Sequence, residues 1–404
     1  MSDRGRGFSG LFSDVLAVGS AARDVILQRL PRAAKSIALY DGFGAHGRVL
    51  IQGRVLRHEP IAPASPDDTR WRNLVAMLRR ADADPLPHAA LRVAVGGSSQ
   101  EIVADEEGFF TSWMSAEDPE RIDDEWVRVR AELVPRDDSD AAVHGTGRAL
   151  MPVRTPEFLV VSDIDDTVLQ SKVTNLVLAA QTIAFGNART RLPFPGVAAF
   201  YQALRCGPAG TGSNPLFYVS SSPWNLYDVI TQFLEIQTIP AGPIMLRDLD
   251  LGLDTLSSRH HHAHKREMIR RVLSTYPESP AILIGDSGQQ DPEIYHDIVR
   301  ERAGRIRAVY IRNVTMNEER SRAIHVLSEE IVRAGSSLVL ADDTLAAARH
   351  AVEHGFIAPD ALSAIGEEKK ADEGVTPEKK DAPGARDAGD APTPTVVVED
   401  RKTS

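Results

Sequence analysis

The apolar positions of this 404-residue chain change their spacing three times. Between residues 8 and 30, Phe8, Leu11, Phe12, Val15, Leu16, Ala22, Val25, Ile26 and Leu30 recur three and four residues apart. This spacing predicts an amphipathic helix within residues 1–34. Its polar positions mix Asp14 and Asp24 with Arg23 and Arg29 and form no basic stripe. Two roles stay open for it, contact with a lipid surface or docking on its own domain.

Residues 35–150 read mainly as strands. Segments 36–40, 48–56, 91–95, 100–104 and 126–133 are rich in Val, Ile and Leu, and turn residues separate them. Gly42, Gly44 and Gly47 mark one turn, and Gly96-Gly97-Ser98-Ser99 another. A helix is predicted at 67–81, with Asp67 or Asp68 as its cap. The expected fold is a small β-sandwich-like accessory domain without a catalytic constellation. Trp71, Trp113 and Trp126 read as core or interface anchors.

From residue 151 to 362 short apolar runs alternate with helical stretches. The runs are 157–162, 216–220, 281–285, 306–312 and 337–340, with a further one at 242–246. The helical stretches are 197–204, 225–235, 264–276, 292–302 and 316–334. Such alternation predicts an α/β domain, a parallel sheet with helices on both faces. Residues 363–404 are mostly Lys, Glu, Asp, Pro and Ala, with little to bury, and read as a disordered charged tail.

Composition narrows the function classes. With 46 Lys and Arg against 57 Asp and Glu, the net charge is −11, which argues against a nucleic-acid partner. One cysteine, Cys206, excludes an intramolecular disulfide and a Cys-based zinc site. Residues 1–6 are charged and lead into no cleavable apolar run. No stretch nears the ~18 apolar residues of a membrane span. These features predict a cytoplasmic protein whose membrane contact, if any, is peripheral.

Parallel sheets place ligands at the carboxyl ends of their strands, and the residues after these strands are chemically distinctive. Asp163-Ile-Asp165-Asp166-Thr167 follows the first, Ser220-Ser221-Ser222 the second, and Asp286-Ser-Gly-Gln-Gln-Asp291 a third. Lys265 sits in the helical stretch at 264–276. This set suits phosphoryl transfer. Asp163 could attack phosphorus and form an aspartyl phosphate. Asp165, two residues on, could protonate the leaving oxygen and then deprotonate water. Carboxylate and phosphate repel, so a counter-charge is needed, and Mg²⁺ favours oxygen ligands. The Asp163 side chain, the Asp165 carbonyl and Asp286 could hold it, with Asp291 beside them. Lys265 would neutralise phosphate oxygens, and Thr167, Ser220 and Ser221 would donate hydrogen bonds to the transferring group. A calcium-loop reading fails, because Val168 and Thr174 stand where such a loop needs Gly and Glu.

Asp163-Ile-Asp-Asp-Thr167, Ser220, Lys265 and Gly285-Asp286 to Asp291 resemble the four motifs of the haloacid dehalogenase superfamily. More narrowly, Ser162-Asp-Ile-Asp-Asp-Thr-Val168, Phe217-Tyr-Val-Ser-Ser-Ser-Pro-Trp-Asn225, His264-Lys265 and Ile284-Gly-Asp-Ser-Gly-Gln-Gln-Asp-Pro-Glu-Ile-Tyr295 are similar to the catalytic domain of fungal actin-patch-associated phosphatidate phosphatases and their bacterial relatives. The resemblance spans residues 155–345. The segment Leu39-Tyr-Asp-Gly-Phe-Gly44 also resembles the domain that precedes the catalytic one in that family. The resemblance implies a haloacid-dehalogenase-like fold and a Mg²⁺-dependent phosphatase acting on phosphatidate or a related phospholipid phosphomonoester.

Thr167 to Ser220 spans 53 positions and Ser220 to Lys265 spans 45, and the sheet's own helices need part of each. No large cap fits, so an open site is expected. That suits a large substrate or a headgroup at a bilayer, and disfavours a small metabolite that gains from closure. A phosphatase of a protein or other large substrate, and a non-enzymatic lipid-binding scaffold, are the alternative readings. The run Arg259-His-His-His-Ala-His-Lys265 reads as a polar loop or a transition-metal site. Trp224 reads as a substrate or lipid contact or a helix cap, Arg312 as a supporting cation, and Asp342-Asp343 as a helix cap.

Overall fold

The computed structural model describes residues 34–58, 84–135, 142–164, 195–247, 258–314, 317–374 and 396–398. The predicted helices at 8–30 and 67–81, with Trp71, lie outside the described residues.

Strands β1 (Ala34–Ala45), β2 (Arg48–His58), β3 (Asp84–Pro85), β4 (Ala90–Val95), β5 (Ser98–Val103), β6 (Phe109–Ser115), β7 (Trp126–Leu133) and β8 (His144–Leu150) form one sheet. Its order is β3-β2-β1-β8-β7-β4-β5, with β6 also paired to β2. Two stacked sheets were expected, and one curled, barrel-like sheet is observed. The reason lies in β2, which gives one edge to β1 and the other edge to β6 and then β3. The curl brings β5 towards β6, where Gln100 Nε2 donates to Ser112 Oγ at 3.1 Å. Alternate residues point inward, as the strand period requires: Val49, Ile51, Leu91, Val93, Val127 and Val129 fill the interior.

The second sheet holds β9 (Leu159–Asp163), β10 (Leu216–Pro223), β11 (Ile244–Arg247), β12 (Ala281–Asp286), β13 (Ile306–Arg312), β14 (Leu338–Ala341) and β15 (Val396–Val398). The order is β11-β10-β9-β12-β13-β14-β15. All neighbours are parallel except β15, which runs antiparallel to β14. Helices α1 (Val197–Cys206), α2 (Tyr227–Ile236), α3 (Ser258–Thr275), α4 (Asp291–Glu301), α5 (Glu318–Arg333), α6 (Thr344–Glu353) and α7 (Ala361–Gly374) accompany it. Near-continuous apolar strands are what two covered faces demand. Val160, Tyr218 and Ile282 point to one face with Leu204 of α1 and Ile230 of α2. Val161, Phe217 and Leu283 point to the other with Ile269 of α3 and Ile298 of α4. Phe43, Leu50 and Trp126 of the curled sheet complete that second core, so the two sheets share buried surface.

Two differences from the sequence reading concern helices. The histidine-rich run is not a loop, since α3 begins at Ser258. The chain also stays ordered past residue 363. In α7, Ile365 is buried, and the carboxylates of Glu368 and Asp372 accept the backbone N–H groups of Ala199 (2.6 Å) and Gly196 (2.9 Å). Those N–H groups lie at the start of α1, where no intrahelical acceptor exists. The acidic composition that suggested disorder there supplies the acceptors. Asp343 caps α6 as expected, accepting from Ala346 N at 2.9 Å.

Candidate active site

Strand register assembles the site. Asp163, the last residue of β9, lies level with Val219 of β10. Ile284 of β12 lies level with Ser162, so Gly285 is level with Asp163 and Asp286 stands one step beyond. Asp163, Ser220 and Asp286 therefore leave three adjacent strands at one edge. Lys265 reaches the same point from α3, and Asp291 from the first turn of α4.

The Lys265 ammonium lies 2.7 Å from Asp163 Oδ1 and 2.9 Å from Asp291 Oδ1, and donates to Gln289 Oε1 at 3.2 Å. Lys265 is 3 % exposed, Asp163 1 %, and Asp286 and Asp291 0 %. Asp291 Oδ2 accepts the Asp286 backbone N–H at 3.2 Å. Asp286 Oδ1 accepts N–H groups of Gly288 (2.6 Å) and Gln289 (3.0 Å), which ties the turn after β12. Gly285 is needed for this approach. A Cβ there would stand 2.7 Å from Asp291 Cβ and 2.8 Å from the Tyr295 ring.

Three buried carboxylates against one ammonium leave two net negative charges, an arrangement that burial strongly disfavours. Burial pushes the Asp286 carboxyl up to about 7, with the Asp291 charge adding to the rise and Lys265 opposing it. Oxygens of Asp163, Asp286 and Asp291 lie within 4.8 Å of one another, as the ligands of one metal ion would. Asp286 Oδ2 is buried with no hydrogen-bond partner among the described residues. An all-oxygen set with two surplus negative charges fits a hard divalent cation.

Ser220 is fully buried, and its Oγ accepts the Ser222 N–H at 2.9 Å, which shapes the irregular end of β10. Ser221 is half-buried beside it. Asp165 and Thr167 lie outside the described residues. Arg312 supports the turn after β12 through its carbonyl, which accepts Ser287 N–H at 2.8 Å. Burial lowers its guanidinium to about 9. Trp224 is buried against Tyr40 and caps no helix through its side chain. Among the described residues, His262 and His264 of α3 enter no metal-ligating cluster.

Two contributors were not anticipated. Gln289 lies inside the Asp286–Asp291 motif, but an amide at that position carries no separate signal. Arg320 of α5 donates to the carbonyls of Ser287 (2.9 Å) and Gln289 (2.6 Å) and pairs with Glu293, locking the turn from outside. An arginine on an exposed helix pattern carries no mark of that role.

Residues 158–313, less than half of the chain, match the family described as Phosphatidate phosphatase APP1, catalytic domain. Phosphatidate phosphatase APP1 of Saccharomyces cerevisiae is 28% identical over 153 residues, covering 38% of this chain and 25% of that protein. Uncharacterized protein C29B5.04c of Schizosaccharomyces pombe is 28% identical over 160 residues, with the same coverage. The match thus spans a quarter of the length of these relatives. Among solved structures, XAC1771, a carbohydrate acetylesterase from Xanthomonas citri, aligns at 11% identity over 74% of this chain and 75% of that one, with a TM-score of 0.26. That value carries no argument about fold or function. No helix among the described residues is long and apolar enough to cross a membrane.

Proposed function

We propose that the chain is a Mg²⁺-dependent phosphatase of the haloacid-dehalogenase type, which hydrolyses phosphatidate or a related phospholipid phosphomonoester through an aspartyl phosphate. The observation that carries this reading is the buried ammonium of Lys265 bridging Asp163 and Asp291, inside the segment that matches a phosphatidate phosphatase catalytic domain.

In this mechanism an Asp163 oxygen bonds to phosphorus as the ester P–O bond breaks. Asp165 gives its proton to the leaving alkoxide, which departs as diacylglycerol. Asp165 then takes a proton from water as that water attacks phosphorus, freeing Asp163 and inorganic phosphate. Lys265 offsets charge on Asp163 and on the phosphoryl oxygens. Ser220, Ser221 and Thr167 donate to those oxygens, so they bind the transferring group more tightly as charge develops. Asp163, Asp286 and Asp291, with the Asp165 carbonyl, would hold Mg²⁺, which supplies charge neutralisation between carboxylate and phosphate.

The test is phosphate release from phosphatidate in mixed micelles, with Mg²⁺ or with EDTA, for the wild type and Asp163→Asn. Mg²⁺-dependent release that the substitution abolishes is expected. Release from an aryl phosphate but not from phosphatidate would keep the chemistry and replace the lipid by another large phosphorylated substrate. Release from neither would overturn the proposal in favour of a lipid-binding scaffold.

A further inference from the structure

The segment Leu39-Tyr-Asp-Gly-Phe-Gly44 lies in the curled sheet, yet its side chains reach the strand that carries Ser220. Phe43 packs edge-on against Phe217 at 5.4 Å between ring centroids, three residues before Ser220. Tyr40 stacks on Trp224 at 4.5 Å and 17°, four residues after it. Tyr40 also contacts the Tyr227 ring at 4.5 Å. The Tyr227 hydroxyl accepts the Asp41 backbone N–H at 2.9 Å.

Residues three apart in a regular strand point to opposite faces. Tyr40 and Phe43 both contact β10 or the residues just after it because β1 is bulged between them, where its pairing with β2 shifts register. An extra residue at a bulge reverses the alternation beyond it. Gly42 sits in the bulge, where a Cβ would collide with the Leu50 carbonyl oxygen. Asp41 is fixed in turn by Arg148, which donates to its carboxylate at 2.9 Å and 3.1 Å and lies 4.0 Å over the Trp126 ring. The bulge is thus braced on its own side and presents two aromatic rings to the other.

The strand it touches needs that brace. β10 pairs with β9 from Leu216 as far as Val219 and no further. Its pairing with β11 shifts register between Val219 and Pro223. Ser220, Ser221 and Ser222 therefore leave the regular ladder, while the rings that flank them are clamped by β1.

We infer that Tyr40, Asp41 and Phe43 are positioning residues for Ser220–Ser222 at the irregular end of β10, so the curled sheet is a working part of the active site and not an appended module. This rests on the proposed phosphatase reading for its kinetic consequence, but not for its structural one. In the full-length protein, Tyr40→Leu removes the stacking ring, Tyr40→Phe keeps it, and Tyr227→Phe removes only the acceptor for Asp41.

Amide hydrogen exchange of the peptide spanning residues 220–224 is read first, because it needs no activity. Exchange there should rise in Tyr40→Leu, rise less in Tyr227→Phe, and match wild type in Tyr40→Phe, while the peptide holding Asp286 to Asp291 is unchanged. Kinetics on an aryl phosphate follow. Turnover in Tyr40→Leu should fall about tenfold to a hundredfold, as misplacement of a positioning group does. Product inhibition by inorganic phosphate should weaken, the Mg²⁺ concentration for half-maximal rate should stay fixed, and Tyr40→Phe should restore turnover. A wild type that releases no phosphate counts against the phosphatase reading alone, since the exchange result still decides this one. Wild-type exchange in Tyr40→Leu, or a loss that tracks lowered thermal stability and shifts Mg²⁺ dependence equally, would overturn the inference.

Discussion

The two sheets follow one alternation rule and end in opposite chemistry. The interior of the curled sheet is apolar, built from residues such as Leu91, Val93 and Val129. The carboxyl end of the parallel sheet buries Asp163, Asp286 and Asp291 around a buried Lys265. Among the described residues the only other buried carboxylate is Glu125, which pairs with Arg205. A fold selected for stability alone would bury no such cluster, because each charge forfeits several kcal/mol of hydration. The contrast separates a region that holds the molecule together from one that is held under electrostatic load.

The contrast breaks most completely at Asp163. Asp163→Asn should lower phosphate release about a thousandfold or more, as loss of a nucleophile does. It should not lower the melting temperature in EDTA, because it relieves part of the surplus negative charge gathered around Lys265. Circular dichroism melts beside a phosphate-release assay read both effects.

Metal removal comes next. Mg²⁺ at roughly a hundred times its dissociation constant should stabilise the wild type by about 2–3 kcal/mol. Asp286→Asn should lose most of that gain, and EDTA should stop turnover. An equal Mg²⁺ response in both proteins would contradict the ligand set.

A substitution in the other core sharpens the comparison from the opposite side. Leu91→Ala should cost about 2–5 kcal/mol through cavity formation. The half-saturating Mg²⁺ concentration of the folded protein should not move.

The metal-free protein should also show a distinctive pH slope. The folded pKa of Asp286 is raised above its unfolded value, to about 7. The folded state therefore holds the proton more tightly, and ionisation destabilises it. In EDTA, this group's contribution is fully present below about pH 4 and is lost as pH rises to about 7. Asp286→Asn should remove that slope in melting temperature. Mg²⁺ should flatten it as well, since a ligated carboxylate stays ionised.

The smallest effect belongs to the surface of the curled sheet. Arg92 and Glu101 pair at 3.1 Å with both side chains more than half exposed. Arg92→Ala should change stability by about 0–1 kcal/mol and leave activity untouched.

What the sequence made legible follows from the same contrast. Asp163, Ser220, Lys265, Asp286 and Asp291 could be assembled in advance because parallel strands deliver their following residues to one edge. The apolar runs that mark those strands are long and unambiguous. β8 was invisible because His144-Gly-Thr-Gly147 has low strand propensity, and pairing with β7 and β1 on its two edges makes it a strand. A period-2 pattern also does not say whether strands close into one curled sheet or split into two, which β2 decides by pairing on both edges. α7 was hidden for a different reason. Its acidic residues serve another helix's N-terminus, a partner that no local window contains. The bulge at Asp41-Gly42 was visible only as a glycine-rich turn, and its aromatic contacts across to β10 are tertiary.

The central claim is that the buried Asp163 carboxylate takes the phosphoryl group. The most direct measurement is to mix the full-length protein with an aryl phosphate and Mg²⁺, quench in acid during turnover, and map the peptides by mass spectrometry. A gain of one phosphoryl group on the peptide containing Asp163, absent in Asp163→Asn and absent in EDTA, is the predicted result. Steady turnover with that peptide unmodified at every quench time, or with turnover persisting in Asp163→Asn, would contradict it.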